Sequence, residues 1–417
     1  MSERDSNSSE TTNTLGTVVV GGGLSAAHCV HALREGGYTL PITLIASENE
    51  VPYERPPLSK ELLQGKKSES ELAPFPASWY AEANIDLRLS VEAESIDVSG
   101  QNVILSDSST VGYQHLVLAT GCRSRLGGPE SKMPGWDLPG VLSLRSLEDS
   151  KNLRERLVAG KHLVIVGSGW IGMEVAASAL SAGIEVTVLT PGQIPLATAM
   201  GSEFGSHVAQ LHTNEGVKFQ FGSAVSGMSI DARGGLLVET ATGGVQADLV
   251  LLAIGAVPNT ELAVAAGLSV GSGVLVDQQL RSSDKNILAI GDVAEAYNTR
   301  LGRSLRVEHW DNAIRQGKLA AATILGRSES YDWLPYFFTD QFDLGMEYVG
   351  DRAADDEAVV RGDMLKGEFI IFWLRTGVIT AAMNVNIWDV NDHLRDMIGT
   401  EVAVERLQDS SNDLFAL

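Results

Sequence analysis

Residues 17–48 of the chain read TVVVGGGLSAAHCVHALREGGYTLPITLIASE, and residues 162–190 read HLVIVGSGWIGMEVAASALSAGIEVTVLT. Each stretch contains a short β-branched run, a glycine-rich turn, a segment of helical length and a second β-branched run. This order predicts a strand–helix–strand unit whose two strands lie parallel. Because the pattern occurs twice, the sequence predicts an α/β fold that contains two Rossmann-like units, each of three layers.

The two glycine-rich turns have the signature of dinucleotide sites. Gly21 to Ala26 fits G-x-G-x-x-A, and Gly167 to Gly172 fits G-x-G-x-x-G. The first glycine permits the tight turn, the second lets the backbone approach a pyrophosphate, and the last small residue keeps the helix close to the strand. The helix N-terminus then supplies N–H donors and a partial positive charge. One such turn alone is weak evidence, but two of them predict two dinucleotide sites.

In each unit, the residue that ends the second strand bears on which nucleotide is bound, because it lies where the ribose is recognised. Glu48, or Ser47 in its place, ends the strand of the first unit, where a carboxylate binds ribose hydroxyls. The corresponding strand of the second unit ends at Thr190, with neither the acid expected for NAD nor the arginine expected for NADP. The choice between NADH and NADPH stays open at this point, with NADH favoured because no positive charge is close in sequence.

A chain of 417 residues is too long for one hydrophobic core. The segment NILAIGD, from residue 286, is typical of a strand that closes the first sheet, so we expect the second unit to be inserted into the first domain. From about residue 331 aromatic residues cluster, and strand-like runs follow. We therefore predict a disordered tail over 1–14, a first dinucleotide-binding domain over 15–150 with 271–330, a second one over 151–270, and a C-terminal α+β domain over 331–417.

Composition argues against several classes of function. With 31 basic and 53 acidic residues the net charge is −22, which disfavours nonspecific binding to nucleic acid or to anionic membranes. No apolar run reaches the roughly 18 residues of a membrane span, and the N-terminus has no signal-peptide pattern, so we expect a cytoplasmic protein. Cys29 and Cys122 lie far apart without metal or dithiol spacing, so no metal site and no redox-active disulfide are predicted.

Further motifs occur in a fixed order along roughly residues 17–350. They are YERPPLSK (53–60), ATG (119–121), LRSLED (144–149), the glycine turn that runs on to Glu174, GAVPN (255–259), AIGD (289–292) and VEHWDNA (307–313). In this combination the chain resembles the FAD-dependent ferredoxin and rubredoxin reductases of bacterial oxygenase systems, a family that includes relatives of putidaredoxin reductase and of apoptosis-inducing factor.

The resemblance implies that the first domain (15–150 with 271–330) is the FAD-binding domain, the inserted one (151–270) the NAD(P)H-binding domain and the last one (331–417) an interface domain. It also implies two sets of binding residues. Those expected at FAD are Gly21, Gly23, Leu24, Ser25, Ser47, Glu48, Arg55, Lys60, Ala93, Ala119, Thr120, Gly121, Arg145, Gly291, Asp292 and Trp310. Those expected at the nicotinamide nucleotide are Gly167, Gly169, Trp170, Ile171, Gly172 and Gly255.

The resemblance also implies individual roles. Lys60 and Glu174 are the expected catalytic ion pair beside the reactive nitrogen of the flavin, where hydride arrives from the nicotinamide. Arg145 is expected at the pyrophosphate, and Asp292 at the ribityl hydroxyls or as a helix N-cap. For Trp310 three interpretations stay open: it covers the flavin, donates its backbone N–H, or packs in the core. An aromatic pair, Phe337 and Phe338, either shields the flavin or belongs to the core.

The implied function is that of an NAD(P)H-dependent ferredoxin reductase. Hydride passes from NADH, or from NADPH, to FAD, and single electrons then pass to a [2Fe-2S] ferredoxin or a rubredoxin that feeds an oxygenase such as a cytochrome P450. The alternatives are an NADH oxidase or peroxidase, and a flavin-bearing redox-responsive interaction protein. The protein is expected to be a monomer or a homodimer.

A basic stretch suggests where the carrier docks. It consists of Arg300, Arg303, Arg306, Arg315 and Lys318, in an otherwise acidic chain. Because ferredoxins are usually acidic, these residues are predicted to steer the carrier to the flavin edge. The competing interpretation is an ordinary solvated surface.

Overall fold

The computed structural model describes residues 15–127 and 132–416. The predicted tail at residues 1–14 lies outside the described residues. The strands are β1 (Gly16–Val20), β2 (Ile42–Ile45), β3 (Ile85–Arg88), β4 (Ala93–Asp97), β5 (Asn102–Leu105), β6 (Thr110–Leu118), β7 (Cys122–Ser124), β8 (Val141–Ser143), β9 (His162–Val166), β10 (Glu185–Leu189), β11 (Lys218–Gln220), β12 (Val225–Ile230), β13 (Leu236–Thr240), β14 (Gly243–Ala247), β15 (Leu249–Leu252), β16 (Ala256–Pro258), β17 (Val274–Val276), β18 (Ile287–Ala289), β19 (Ala294–Asn298), β20 (Arg303–Arg306), β21 (Tyr336–Gln341), β22 (Leu344–Gly350), β23 (Glu357–Asp363), β24 (Glu368–Arg375) and β25 (Val378–Val385).

The α-helices are α1 (Leu24–Glu35), α2 (Ala77–Glu82), α3 (Leu147–Arg156), α4 (Trp170–Ser181), α5 (Ala197–Glu215, kinked at Gly201), α6 (Glu261–Ala265), α7 (Trp310–Ile324), α8 (Asn391–Met397) and α9 (Val404–Gln408). Short 3₁₀ turns span Pro56–Ser59, Glu69–Glu71, Gly291–Val293 and Leu414–Ala416. Among the helices of the described ranges, none has the length and apolar character needed to cross a membrane.

The first sheet has the order β3-β2-β1-β6-β5-β4, and β18 also lies beside β6. The pairings among β3, β2, β1, β6 and β18 are parallel, whereas β5 and β4 return antiparallel. Its central strand β1 is an uninterrupted valine-rich run that is buried along its whole length, as expected for a parallel strand covered on both faces. Strand β18, from the NILAIGD segment, pairs with β6 and so belongs to the first sheet, as the sequence predicted.

The second sheet is parallel throughout, with the order β11-β10-β9-β15-β8. Its edge strand β8 precedes residue 151, so the predicted boundary at 150/151 is wrong for this strand. The prediction is also wrong for Ala263 and Leu268, on and after α6, which pack in the core of the first sheet. The reason is that the chain passes between the two sheets earlier, through the antiparallel pair of β7 and β16.

The C-terminal part is an antiparallel sheet with the order β21-β22-β25-β24-β23. Helix α8 packs against β22 and β25, and α9 packs against β23, which gives the α+β arrangement that the sequence predicted. Two smaller sheets, β12-β13-β14 and β17-β19-β20, accompany the parallel ones. The predicted fold class, two Rossmann-like units followed by an α+β domain, is confirmed.

Helices α1 and α7 cross closely, and Gly317 is the residue that permits it. A Cβ atom at Gly317 would lie 2.4 Å from the carbonyl oxygen of Ser25 and 3.0 Å from the backbone nitrogen of Cys29. Any side chain would therefore push α7 away from the first turn of α1. Since that turn begins at the first glycine-rich loop, the crossing fixes where this loop lies.

We expect Gly317→Ala to destabilise the protein by about 1–3 kcal/mol, the usual cost of overpacking a tight core. The measurement is the thermal unfolding midpoint. Gly192→Ala is the matched control, because the nearest atom to its added methyl group is 3.6 Å away. An equal midpoint for the two variants would contradict the close crossing.

Candidate functional site

A cavity of about 1810 Å³ lies between the two parallel sheets and the C-terminal sheet. It is lined by Gly23 from the first turn, Trp170 from the second, and Phe338 from β21. Its size and the position of the two turns agree with Rossmann-type folds, which bind dinucleotides at the carboxyl ends of their strands.

The first glycine-rich turn is shaped for a ligand that approaches its backbone. Gly21 has φ +123°, and a Cβ there would lie 2.1 Å from the carbonyl oxygen of Ala119. Gly23 is the N-cap of α1, and a Cβ on it would meet nothing within 4 Å. The open space at Gly23 is part of the cavity. The residues of this turn therefore fit a pyrophosphate placed at the α1 N-terminus.

The second turn has the same construction. Gly167 has φ +107°, and a Cβ there would lie 2.3 Å from the carbonyl oxygen of Ala253. Gly172 lies so close to the turn that a Cβ added to it would be 2.5 Å from the Gly167 carbonyl oxygen. Gly169 is the N-cap of α4, and a Cβ added there would meet nothing within 4 Å. Trp170, on the first turn of α4, lines the cavity. The second turn thus fits a second dinucleotide.

A buried ion pair lies on the cavity wall. Lys60 follows the 3₁₀ turn of the first domain, Glu174 lies on α4, and Lys60 Nζ is 3.2 Å from Glu174 Oε1. The two residues are only 6% and 8% exposed. Thr339 Oγ1 donates to Glu174 Oε1 at 2.7 Å, and Ser59 Oγ donates to Oε2. The Lys60 ammonium also lies 5.5 Å from the centre of the Phe338 ring. These contacts compensate for the burial of the two charges.

Two further ion pairs line the part of the cavity near the first turn. Arg145 donates through Nη2 to Asp292 Oδ2 and through Nε to the Cys122 carbonyl at 2.9 Å. Arg55 Nη2 lies 2.9 Å from Glu48 Oε1. Arg145 and Asp292, which the sequence assigned to different groups of the cofactor, therefore contact each other directly.

The segment that precedes α7 brings His309 and Trp310 to the cavity. Trp310 Nε1 donates to Glu54 Oε1 at 3.1 Å, so its indole N–H already has a protein partner. His309 caps α7 and accepts from the Asp311 backbone N–H at 3.3 Å. Burial is the main cause that lowers the pKa of His309 to about 4, against a weaker opposite effect of Asp292. His309 is therefore neutral at pH 7.

Most of the residues predicted from the sequence line the cavity. They are Gly21, Gly23, Leu24, Ser25, Ser47, Glu48, Arg55, Lys60, Ala93, Ala119, Thr120, Gly121, Arg145, Trp170, Ile171, Glu174, Gly291, Asp292 and Trp310. Gly167, Gly169 and Gly172 shape the turn that presents Trp170 and Ile171 to it. Gly255 has φ +100° and immediately precedes β16; it is not among the residues that line the cavity. Direct contact of these residues with a nucleotide stays a prediction.

The sequence did not single out Ser59, Thr339 or His309. Ser59 and His309 lie inside motifs that were quoted, so their neighbours could have indicated them. Thr339 lies on β21, and its link to Glu174 across 165 residues has no signal in the sequence. Phe337 and Phe338 line the cavity, and Phe337 also stacks on Tyr348, so Phe337 belongs to the packed core as well. Shielding of the flavin by this pair stays a prediction.

The two cysteines do not form a redox centre in this structure. Both Cys29 and Cys122 are buried free thiols. Burial raises the pKa of each to about 12, with Asp292 and Glu308 adding to the effect at Cys122. Neither residue is therefore a thiolate at neutral pH.

The predicted basic stretch does not form one free positive surface. Arg303 pairs with Asp351, and Arg306 pairs with Glu308. Arg315 Nε lies 2.8 Å from Asp311 Oδ2. The prediction is therefore corrected for these three arginines, because neighbouring carboxylates that the sequence did not pair with them reduce their charge.

Two strand–helix–strand units whose glycine turns meet at one cavity, closed by a C-terminal antiparallel sheet, define the class of reductases that hold two dinucleotides side by side. The family model of the pyridine nucleotide-disulphide oxidoreductases matches residues 16–317, and that of the reductase C-terminal domain matches residues 336–417. The chain belongs to the pyridine nucleotide-disulphide oxidoreductase family.

Individual relatives are similar over most of their length. The chain is 40% identical over 374 residues to the ferredoxin–NAD(+) reductase component of the anthranilate 1,2-dioxygenase system of Burkholderia cepacia, covering 89% of this chain and 90% of that protein. It is 35% identical over 373 residues to putidaredoxin reductase of Pseudomonas putida, covering 88% of both. The reductase in the crystal structure of the covalent putidaredoxin reductase–putidaredoxin complex superposes with a TM-score of 0.90 at 32% identity, over 96% of this chain and 97% of that one. The resemblance drawn from the motifs is confirmed.

His309 yields a prediction about acid stability. Its pKa lies below the value of 6.5 expected in the unfolded chain, so below pH 6.5 the unfolded chain binds a proton that the folded protein does not. Stability is therefore lost as the pH falls from 6.5 towards 4, by roughly 1–2 kcal/mol at pH 5. His309→Asn keeps a residue suited to the N-cap but removes this titration.

We expect the thermal midpoint of His309→Asn to fall less than that of the unmodified protein between pH 7 and pH 5. Identical pH dependence of the two proteins would mean that His309 is not held neutral by the fold.

Proposed function

We propose that this protein is an FAD-dependent NAD(P)H:ferredoxin reductase, with NADH as the preferred donor. The single observation that carries the proposal is the buried Lys60–Glu174 ion pair in a cavity reached by both glycine turns. The relatives support it, because those named above are reductases of ferredoxin or of putidaredoxin. We further propose that it acts in the cytoplasm.

We assign FAD to the first turn and the nicotinamide nucleotide to the second. When bound, FAD accepts a hydride from the nicotinamide and releases electrons one at a time to an iron–sulfur carrier. The α1 N-terminus holds the pyrophosphate, and Arg145 supplies a positive charge on that side of the cavity. Asp292 accepts hydrogen bonds from ligand hydroxyls and, through its contact with Arg145, keeps that arginine oriented. Trp170 orients the nicotinamide nucleotide at the start of α4.

The preference for NADH is supported by the end of β10. Thr190 is buried there, and its Oγ1 lies 2.9 Å from Ser168 Oγ in the second turn. This neutral pair offers no positive charge to the 2′-phosphate that distinguishes NADPH from NADH. NADPH is the proposed weaker donor.

Lys60 and Glu174 are the proposed catalytic residues. The buried Lys60 ammonium would stabilise negative charge on a bound flavin far better than a water-exposed lysine would. Glu174 holds that ammonium at a fixed place, because its carboxylate is itself fixed by Ser59 and Thr339. The pair thereby stabilises the transition state without reorganising.

The electrons leave to an external carrier. A route through a dithiol is disfavoured, since Cys29 and Cys122 are buried, separate and protonated. We propose a [2Fe-2S] ferredoxin, or a rubredoxin, that serves an oxygenase. The same absence of an accessible thiolate disfavours a peroxidase.

A groove of about 480 Å³ is the proposed docking place for an acidic carrier. Its lining includes three arginines, Arg300, Arg315 and Arg395, together with Trp333 and one acid, Asp332. Arg300 is exposed and has no ion pair within the described part of the chain. Of the predicted basic stretch, Arg300 and Arg315 lie at this groove, and Arg315 is paired with Asp311. The proposal therefore rests on Arg300 and Arg395 rather than on Arg303 and Arg306.

Anaerobic titration with NADH, followed by NADPH, tests the reductase function. We expect a yellow protein whose flavin absorbance is bleached by NADH. Lys60→Met should keep FAD but be reduced about 100-fold more slowly in stopped-flow measurements, the size of effect seen when one charge-stabilising donor is removed. Lys66→Met, which removes an exposed lysine nearby in sequence, is the control and should be reduced at the normal rate. A colourless protein that does not reconstitute with FAD would exclude this function.

Charge reversal tests the docking groove. Arg300→Glu should slow electron transfer to an acidic ferredoxin by about 3- to 10-fold at low ionic strength, because charges at the rim of an interface act mainly on association. Reduction of the flavin by NADH should be unchanged. Arg233→Glu, at an exposed turn between β12 and β13, makes the same change of charge as a control. Equal slowing by both variants would point to net charge rather than to the groove.

A further inference from the structure

The catalytic pair is the end of a longer buried chain of polar side chains. From Glu174 the chain continues to Thr339 and then to Gln341, whose Nε2 lies 3.2 Å from Thr339 Oγ1. It ends at His212 on α5, where His212 Nε2 lies 2.8 Å from Gln341 Oε1. Thr339, Gln341 and His212 are essentially inaccessible to solvent. Each link between Glu174 and His212 is made, so this buried network restricts the geometry of the side chains that it joins.

The direction of every hydrogen bond in the chain follows from its first member. In the ion pair the Glu174 carboxylate only accepts, so the Thr339 hydroxyl donates to it. The hydroxyl oxygen then accepts from the Gln341 amide nitrogen. The amide oxygen of Gln341 is thereby turned to His212, which must donate through Nε2. All donors point towards Glu174.

The state of His212 agrees with this direction. Burial lowers the pKa of His212 to about 4, so the ring is neutral and carries one proton. That proton is on Nε2, where Gln341 accepts it. The other ring nitrogen, Nδ1, has no hydrogen-bond partner within the described residues, and the ring edge packs against Phe342 with the centroids 4.9 Å apart.

The chain also connects all three structural units. Lys60 comes from the first, Glu174 and His212 from the second, and Thr339 and Gln341 from the C-terminal sheet. Within the described ranges, the bond from Thr339 is the one hydrogen bond by which the C-terminal sheet contacts the Glu174 carboxylate; the others come from Ser59 and Lys60.

We propose that Thr339, Gln341 and His212 are positioning residues for the catalytic pair, so that strand β21 of the C-terminal domain sets the orientation of Glu174 and, through it, the place of the Lys60 ammonium. This inference rests on the proposed function, in which that ammonium lies beside the flavin. Without the Thr339 donor the carboxylate is free to rotate about its terminal bonds, and the ammonium follows it.

The test is the rate of flavin reduction by NADH in the holoenzyme, measured anaerobically by stopped flow, together with the midpoint potential of the flavin. Thr339→Val should reduce the rate about tenfold, as expected for loss of one hydrogen bond to a charged group, and make the potential more negative. The NADH concentration for half-saturation should not change. Thr339→Ser restores the hydroxyl and should return the rate to within about twofold of the original.

More distant members of the chain should have smaller effects in the same direction. Gln341→Leu removes the donor to Thr339, and His212→Phe removes only the last member, so we expect the rates to rise in the order Thr339→Val, Gln341→Leu, His212→Phe. Thr323→Val is the matched control. Thr323 is a buried threonine on α7, and its hydroxyl donates to the Gln279 carbonyl oxygen at 2.8 Å. Its flavin should be reduced at the normal rate.

The outcomes separate this inference from the proposed function. If Lys60→Met is slow and Thr339→Val is as fast as the original protein, the positioning role is wrong and the function stands. If Lys60→Met is also fast, the catalytic assignment itself is wrong. Equal losses in Thr339→Val and Thr339→Ser would equally overturn the positioning role. Should Thr339→Val not fold, Gln341→Leu decides the same question without altering a direct contact of Glu174.

Discussion

The ion pair between Lys60 and Glu174 is the interaction on which the arrangement of the molecule depends. Its partners are separated by 114 residues and come from different domains, yet both are almost fully buried. Removing two charges from water is unfavourable unless further donors surround them. Ser59 and Thr339 are those donors, and they belong to the first and the last domain. The pair therefore requires all three units to meet at one place.

The two glycine turns lie at the cavity where the three units meet. At Gly21 and Gly167 the backbone adopts a positive φ and lies against the carbonyl of a neighbouring strand, so no side chain fits. At Gly23 and Gly169 the missing side chain opens space in front of a helix N-terminus. Because each turn combines both features, the same local design provides two candidate nucleotide sites at one cavity, with the ion pair on its wall.

The basic stretch shows where local sequence reasoning fails. Five cations within nineteen positions suggest a positive surface, but whether a surface is positive depends on the carboxylates nearby in space. Asp351, which neutralises Arg303, arrives from the C-terminal domain across 48 residues. Conversely, Arg395 joins Arg300 at the groove from a helix far along the chain. Long-range electrostatic partners of this kind leave no trace in composition or spacing.

The sequence by itself determined the two strand–helix–strand units, the closing strand β18, the family and most of the residues around the cavity. These follow from local rules, since periodicity and glycine turns depend on neighbours along the chain. Only the tertiary structure decided that β8 joins the second sheet and that α6 packs against the first. It alone linked Glu174 through Thr339 and Gln341 to His212. The reason is that strand pairing and buried hydrogen bonds join residues far apart in sequence, and they form only when the chain has closed around them.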